Sequence, residues 1–226
     1  MADEVRAHQN EPEAPRPAMP DALLRCPVIP VLRADAAGDY DAVIEVLLES
    51  GLSTVEITLT TPGTLEGLPA LVRRWGSAVG VGTVTSVEQA LRVIDAGGGY
   101  IVTPVARPEI VRAAVAEGVP VFPGALTPTE VLSVWEAGAT AVKIFPAESV
   151  GPRYAGLLRG PFPDLAFIPS GGVALDQVTD WLRAGAAAVS MGGPLVGDAF
   201  RGGSPQALRD RVRRVLDAVA LAGERR

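Results

Sequence analysis

Three side chains on which much of enzyme chemistry depends are almost absent from this sequence. Its 226 residues contain one histidine, His8, one cysteine, Cys26, and one lysine, Lys143. These counts exclude a catalytic triad that needs histidine, a histidine-rich metal site, a cysteine cluster and an intrachain disulfide. The other 19 of the 20 basic side chains are arginine, so the retention of a single lysine needs a chemical explanation.

Long apolar runs and an excess of positive charge are also missing. No uninterrupted apolar stretch reaches the roughly 18 residues that a membrane span requires. The formal net charge of −6 argues against binding of nucleic acid through its phosphates. We therefore expect neither a membrane nor a nucleic-acid partner. The lone cysteine fits a reducing, cytoplasmic location.

The first 19 residues differ in composition from the rest of the chain. They are acidic, contain several prolines and have few large apolar side chains, which is typical of disordered segments. They also lack the apolar centre of a secretory signal. The sequence therefore predicts a disordered leader over residues 1–19 and one folded domain over residues 20–226.

Within that domain, short apolar segments alternate with amphipathic ones. The apolar segments are rich in Val, Ile and Phe, as buried parallel strands are, and span residues 27–33, 54–59, 78–84, 100–104, 120–126, 141–146, 166–170 and 188–193. Five of the intervening helical segments end in a glycine that suits a left-handed cap, and a strand follows two to four residues later. Eight strands alternating with helices predict a (β/α)₈ barrel with a short N-terminal helix. A doubly wound open sheet is the structural alternative.

Two charged residues fall on strand faces that point into such a barrel. Side chains alternate along a strand, and this alternation sends Glu56 of the second strand and Lys143 of the sixth inward. Desolvation makes a buried ion pair a poor device for stability, and a buried lysine, unlike arginine, can lose its proton. We interpret Lys143 as a Schiff-base nucleophile and Glu56 as its proton shuttle, with Arg33 anchoring an anionic group of the substrate. A structural ion pair and a surface arginine are the alternatives.

Two glycine pairs follow the last two predicted strands. Gly171 and Gly172 come after the seventh strand, and Gly192 and Gly193 after the eighth. Glycine lets backbone N–H groups approach an anion, and a helix predicted to begin at Ala174 adds its dipole. Loops in these two positions often bind phosphate in (β/α)₈ barrels. The pairs therefore predict a phosphate site, with simple turns as the alternative.

Several motifs resemble those of one enzyme family. The segments GLSTVEITLTTP (51–62), KIFPAE (143–148) and PSGGV (169–173) resemble the aldolases of 2-keto-3-deoxy-6-phosphogluconate (KDPG) and 4-hydroxy-2-oxoglutarate. The resemblance implies a lysine-dependent, class I (β/α)₈ aldolase that cleaves KDPG to pyruvate and glyceraldehyde 3-phosphate. It also implies a homotrimer that needs no metal or other cofactor, with the Schiff base at Lys143 and proton transfer at Glu56.

The same resemblance implies further contacts with a 2-keto acid substrate. Thr83 matches a residue that holds the pyruvate carboxylate, and Pro104 and Phe145 match residues that line the pyruvyl pocket. The residues that match the phosphate end are Ser170, Gly171, Gly172, Gly192 and Gly193.

Two positions depart from the family pattern. Thr60, which we keep as a candidate substrate-binding residue, stands where some members have an arginine that contacts the carboxylate, and we expect Arg33 to replace that contact from the neighbouring strand. Pro194 stands where some members have serine, which removes a hydroxyl and a backbone donor. These departures leave room for 2-keto-3-deoxy-6-phosphogalactonate, 4-hydroxy-2-oxoglutarate or another 2-keto-3-deoxy acid as substrate. A phosphate-binding barrel without aldolase activity, such as an isomerase or a binding protein, is the alternative of a different class.

Overall fold

The structure is a computed structural model that describes residues 14–223. Short parallel strands alternate with helices along this range. The strands are β1 (Val28–Leu32), β2 (Val55–Thr58), β3 (Val79–Gly82), β4 (Ile101–Val102), β5 (Val121–Phe122), β6 (Gly124–Ala125), β7 (Val142–Ile144), β8 (Phe167–Pro169) and β9 (Val189–Met191). The helices are α1 (Asp21–Arg25), α2 (Tyr40–Glu49), α3 (Thr64–Trp75), α4 (Val87–Asp95), α5 (Pro108–Ala116), α6 (Pro128–Glu136), α7 (Pro152–Arg159), α8 (Val178–Arg183), α9 (Gly193–Val196) and α10 (Pro205–Gly223).

The strands curl into a barrel that is made of two hydrogen-bonded sheets. One sheet has the order β5-β4-β3-β2-β1-β9, and the other has the order β6-β7-β8. The segments β5 and β6 are two halves of the predicted fifth strand, separated at Pro123, which has no N–H to donate to a ladder. A bridge between Ser170 and Ser190 joins the end of β8 to β9. The predicted (β/α)₈ fold is confirmed, and the predicted sixth strand corresponds to β7.

The helix ends have the caps that the sequence predicts. The five predicted cap glycines, Gly51, Gly97, Gly118, Gly138 and Gly185, all have φ between 68° and 105°, a conformation that glycine adopts without strain. At the start of α6, the Thr127 hydroxyl accepts from the Glu130 N–H while the Glu130 carboxylate accepts from the Thr127 N–H. This is the capping box that the sequence predicts.

The helix predicted to begin at Ala174 has a different first turn. Ala174 precedes a single 3₁₀ turn, Leu175–Gln177, and α8 begins only at Val178. The Gln177 N–H donates to the Ala174 carbonyl at 3.1 Å, and such bonds between residues i and i+3 make a 3₁₀ turn tighter than a turn of α-helix.

An apolar cluster closes the interior of the barrel at the end where the strands begin. Inward-facing side chains from several strands meet Leu23 of α1, which is 1% exposed. The cluster consists of Leu23, Ile29, Tyr100, Val102, Phe122, Ala141, Ile168 and Ala188. The short N-terminal helix therefore seals the end of the barrel at which the strands begin, and polar chemistry is confined to the opposite end.

The predicted leader lies mainly outside the described residues, which start at Ala14. The described part, residues 14–19, runs as coil beside α6. There the Arg16 guanidinium lies 3.5 Å from the centre of the Trp135 ring and donates to the Trp135 and Ala139 carbonyls. No helix among the described residues is long and apolar enough to cross a membrane.

Candidate active site

A cavity of about 260 Å³ opens at the carboxyl ends of the strands. Its lining includes every predicted site residue except Thr60, namely Arg33, Glu56, Thr83, Pro104, Lys143, Phe145, Ser170, Gly171, Gly172, Gly192 and Gly193. Val31 and Pro194 complete the lining. A larger depression of about 590 Å³ lies at the other end of the barrel beside Arg159 and Arg183, and none of the predicted site residues lines it.

Lys143 and Glu56 meet inside this cavity. The Lys143 Nζ atom lies 3.8 Å from Glu56 Oε1, and the two side chains are only 9% and 2% exposed. The structure therefore places both side chains inside the barrel, as the strand alternation predicts. The two residues belong to different sheets, because Glu56 lies on β2 and Lys143 on β7.

The second oxygen of Glu56 has no partner within the protein. Oε2 is fully buried and forms no hydrogen bond among the described residues. Burial raises the pKa of the Glu56 carboxyl, and the positive charges of Lys143 and Arg33 oppose this increase. A buried polar atom without a partner costs free energy, so the position of this oxygen is unfavourable for the folded protein.

Glycine on β3 provides the space that Glu56 occupies. A Cβ atom built on Gly82 would lie 1.9 Å from Glu56 Oε1, and one built on Gly80 would lie 2.1 Å from the Tyr100 ring. Both distances are far below van der Waals contact, so only glycine fits at these two positions. The sequence VGVG of β3 therefore positions the carboxyl group by omitting side chains next to it.

Thr83 has an unusual backbone conformation at the rim of the cavity. Its φ of 62° makes it the non-glycine residue with positive φ among those described. This conformation is unfavourable for a β-branched residue and costs on the order of 1–3 kcal/mol. The strained residue immediately follows Gly82 and lines the cavity, where the family resemblance implies a contact with the substrate carboxylate.

Thr60 and Arg33 contact each other through a hydrogen bond. The Arg33 Nε atom donates to Thr60 Oγ1 at 3.1 Å, and Thr60 Oγ1 donates to Thr58 Oγ1 at 3.2 Å. Thr60 does not line the cavity, whereas Arg33 does. Thr60, a candidate substrate-binding residue by its position, therefore supports the site indirectly, since its hydroxyl holds the guanidinium that reaches the cavity.

The two glycine-containing loops are shaped by their neighbours. Gly171 and Gly172 have φ of 85° and 77°, and a Cβ on Gly172 would lie 2.3 Å from Glu148 Oε2. The N–H groups of Ala147 and Glu148 donate to the carbonyls of Ser170 and Gly171. The KIFPAE and PSGGV segments thus contact each other and form one wall of the cavity.

Three contributors to the site do not stand out in the sequence. Val31 lies on the inner face of β1, which the alternation with Arg33 could have shown. Ser190 accepts a hydrogen bond from the Ser170 hydroxyl at 3.2 Å. Gly82 acts only through the side chain that it lacks, and no sequence pattern distinguishes such a glycine from one in a turn.

The cavity contains the functional groups that a reaction with a carbonyl substrate requires. A buried amine lies beside a buried carboxyl group, and a guanidinium and glycine-rich loops surround the cavity that contains them. An amine next to a proton-transferring group is the arrangement with which proteins form and hydrolyse Schiff bases. The fold and site together define a lysine-containing (β/α)₈ enzyme with room for a small anionic substrate.

Comparison with known proteins agrees with this class. The family model described as "KDPG and KHG aldolase" matches residues 20–204. The 2-dehydro-3-deoxy-6-phosphogalactonate aldolase of Escherichia coli (strain K12) is 36% identical over 174 residues, which are 76% of this chain and 85% of that protein. The 2-dehydro-3-deoxy-phosphogluconate aldolase of Pseudomonas aeruginosa is 35% identical over 160 residues, 69% of this chain and 71% of that protein.

Solved structures give the same result. A structure described as native KDPGal has a TM-score of 0.82 and 32% identity, covering 88% of this chain and 97% of that one. A KDPG aldolase from Legionella pneumophila, with pyruvate captured as a covalent carbinolamine intermediate, has a TM-score of 0.79 and 26% identity, covering 86% and 96%. The chain belongs to the KDPG and KHG aldolase family. The family that the sequence predicts, and its identity as an aldolase, are thereby confirmed.

Proposed function

We propose that the protein is a class I aldolase that cleaves KDPG to pyruvate and glyceraldehyde 3-phosphate through a Schiff base on Lys143. The observation that carries this proposal is the 3.8 Å contact between Lys143 Nζ and Glu56 Oε1 inside the cavity. Relatives named KDPG aldolases support the substrate, and the carbinolamine in the Legionella pneumophila structure supports covalent chemistry with pyruvate.

The reaction uses the amine and the carboxyl group in turn. The Lys143 amine adds to the C2 carbonyl, and Glu56 protonates the carbinolamine hydroxyl, which leaves as water and gives an iminium ion. Glu56 then accepts the proton of the C4 hydroxyl while the C3–C4 bond breaks and its electron pair moves into the iminium. Protonation of the resulting enamine at carbon, followed by hydrolysis, releases pyruvate and the free amine. Because the iminium accepts the electron pair, we propose that no metal or other cofactor takes part.

The remaining lining residues bind the substrate. Thr83 and Arg33 hold the carboxylate, and Pro104 and Phe145 enclose the pyruvyl part. The phosphate end is received by the loops that contain Ser170, Gly171, Gly172, Gly192 and Gly193. We also propose that the protein is a cytoplasmic homotrimer, in line with the family resemblance. Sedimentation equilibrium tests the proposed trimer, for which the expected mass is three times the protomer mass of 23.4 kDa.

The galactonate epimer is a second candidate substrate. A relative of this chain is named as an aldolase of 2-dehydro-3-deoxy-6-phosphogalactonate. The native KDPGal structure resembles the fold of this chain with a TM-score of 0.82. Measurement of kcat/KM for both phosphorylated epimers and for 4-hydroxy-2-oxoglutarate decides among them. The proposed substrate requires the highest value for KDPG, and a higher value for the galactonate epimer would assign the protein to that reaction.

Trapping with borohydride tests the covalent mechanism. The protein is incubated with pyruvate and borohydride and then digested, and the reduced adduct is mapped by mass spectrometry. We expect the adduct at Lys143. An adduct at any other residue, or none, contradicts the mechanism.

Lys143→Arg tests the role of the amine separately from that of the charge. Arginine keeps the positive charge beside Glu56 but remains protonated, so turnover should fall by about 1,000-fold or more while the circular dichroism spectrum stays unchanged. A barrel that only binds or isomerises a phosphorylated ligand would keep its activity in this variant. Retained aldol cleavage would contradict the proposal.

A further inference from the structure

The Arg33 side chain lies between two open spaces. It lines the cavity that contains Glu56 and Lys143, and it also lines an adjoining chamber of about 290 Å³. Arg33 is exposed, and no acidic side chain among the described residues forms an ion pair with it. A long side chain loses conformational entropy when it is held in one place, so another contact must keep the guanidinium beside Lys143.

Three consecutive hydrogen bonds provide that contact. The Arg33 Nε atom donates to Thr60 Oγ1 at 3.1 Å, and Thr60 Oγ1 donates to Thr58 Oγ1 at 3.2 Å. Thr58 Oγ1 in turn donates to the Leu32 carbonyl at 3.2 Å. The series begins on the residue that follows β1, passes through Thr58 and Thr60, and returns to the last residue of β1. We call Thr58 and Thr60 the threonine pair.

The two ends of this series determine the direction of every bond in it. A guanidinium N–H only donates, a backbone carbonyl only accepts, and a hydroxyl has one proton to give. Because Thr58 gives its proton to the Leu32 carbonyl, its oxygen accepts from Thr60, and the Thr60 oxygen is left to accept from Arg33. Thr60 is exposed, so without the Thr58 oxygen its hydroxyl would turn towards solvent as readily as towards the protein.

Thr58 is the fixed member of the threonine pair. It is fully buried and lies on β2 two residues after Glu56, on the same face of the strand. Its backbone N–H donates to the Tyr40 hydroxyl, and its carbonyl accepts from the Thr61 N–H and the Thr64 hydroxyl. These bonds do not involve the Thr58 side chain, so the backbone should keep its position when the hydroxyl is removed.

We propose that Thr58 is a positioning residue that holds the Arg33 guanidinium, through Thr60, in the place where it binds the carboxylate of the 2-keto acid. The assignment rests on the aldolase function proposed above, in which Arg33 binds that carboxylate. Thr58 does not line the cavity and takes no part in bond cleavage. The threonine pair thus connects the carboxylate contact after β1 to the strand that carries Glu56.

The experiment compares Thr58→Val with Thr58→Ser and Thr179→Val. Valine has nearly the shape of threonine but lacks the hydroxyl, and serine restores the hydroxyl. Thr179 is a buried threonine of α8 whose hydroxyl donates to the Ala218 carbonyl and which does not line the cavity, so its variant controls for the loss of a buried hydroxyl. One measurement is the pyruvate concentration that gives half-maximal borohydride trapping at Lys143. The other is kcat for whichever phosphorylated epimer the wild type cleaves best.

Thr58→Val should weaken binding without slowing cleavage. We expect it to raise the pyruvate concentration for half-maximal trapping roughly 3- to 10-fold, as the loss of one hydrogen bond does. It should keep kcat within about twofold, because a carboxylate contact of equal strength in the bound substrate and the transition state affects binding alone. Thr58→Ser should restore wild-type binding, and Thr179→Val should change neither quantity. Thr60→Val, at an exposed position where folding is less at risk, should show the same selective loss as Thr58→Val.

An Arg33→Met background separates an effect through Arg33 from a general disturbance of the barrel. Adding Thr58→Val to Arg33→Met should cause no further loss of pyruvate binding, because the hydroxyl then has no guanidinium to position. The inference is overturned if the loss is as large in this background as in the wild type. It is also overturned if Thr58→Val and Thr60→Val both bind pyruvate as Thr179→Val does. A wild-type protein that forms no pyruvate adduct would instead overturn the proposed aldolase and this inference with it.

Discussion

Glu56 is the residue at which stability and catalysis conflict most directly. Burial raises the pKa of its carboxyl above the usual value of 4.5, and one carboxyl oxygen has no protein partner. A carboxyl whose pKa is raised by folding stabilises the native state below the usual pKa, and that contribution is lost as the pH rises through the raised value. Ionised Glu56 therefore costs folding free energy at neutral pH, where the proposed mechanism needs it as a base.

The pH dependence of cleavage follows from this shift. Glu56 must be ionised when it accepts the proton of the C4 hydroxyl, so the single-turnover rate of C3–C4 cleavage should fall as the pH decreases through its pKa. We expect the acid limb of the wild-type profile to have its midpoint above 4.5. Glu56→Gln should abolish that limb and lower the plateau by about 100- to 10,000-fold. A wild-type midpoint at or below 4.5, or an unchanged limb in Glu56→Gln, would contradict the assignment.

Gly82 permits a test of how precisely the carboxyl group is placed. In Gly82→Ala the new Cβ would lie 1.9 Å from Glu56 Oε1, so the carboxyl group must move relative to Lys143. We expect kcat/KM to fall roughly 100-fold, since a displacement of about 1 Å is enough for such a loss. The control is Gly156→Ala in α7, where the Cβ meets nothing within 4 Å; it should keep full activity. Equal activity of the two variants would show that Glu56 does not depend on this space.

At the scale of elements, α1 has the clearest individual role. Leu23 is 1% exposed inside the apolar cluster that closes the barrel, whereas its neighbour Leu24 is 69% exposed. Leu23→Ala should lower the free energy of unfolding by about 2–5 kcal/mol. Leu24→Ala should change it by less than about 0.5 kcal/mol. Urea denaturation of both variants measures the difference, and similar values for the two would mean that α1 does not seal the barrel.

The elements were more predictable from sequence than the details of the site. Alternation along β2 and β7 places Glu56 and Lys143 inside the barrel because one face of each strand must pack against helices. The split of the fifth strand at Pro123 was not predicted, since an apolar run does not reveal where a ladder is interrupted. The supporting role of Thr60 depends on a contact with Arg33 in a distant segment, which single-strand periodicity does not encode. The role of Gly82 is not predictable from sequence, because it depends on the side chain that glycine lacks.

At the scale of the whole molecule, the lone lysine allows a chemical test of function. Lys143 carries the only side-chain amine of the chain, and that side chain is 9% exposed. We therefore expect reductive methylation of the native protein to modify Lys143 slowly and aldolase activity to fall in proportion to its modification. Prior reduction of the pyruvate adduct leaves a secondary amine and should therefore prevent dimethylation at this position. Intact mass and peptide mapping measure both, and full activity after complete modification of Lys143 would contradict its role as nucleophile.

The division of the barrel into two sheets affects how Lys143 and Glu56 are held next to each other. Lys143 belongs to the three-stranded sheet β6-β7-β8 and Glu56 to the six-stranded sheet, and the two sheets meet at Pro123 and at the bridge between Ser170 and Ser190. The 3.8 Å separation of their charged atoms is therefore measured across two seams instead of along a continuous ladder. Backbone hydrogen bonds nevertheless cross both seams, from the Thr140 N–H to the Val121 carbonyl and from the Ala187 N–H to the Phe167 carbonyl. The closed barrel as a whole, and not one shared pair of strands, therefore sets the distance between the amine and the carboxyl group.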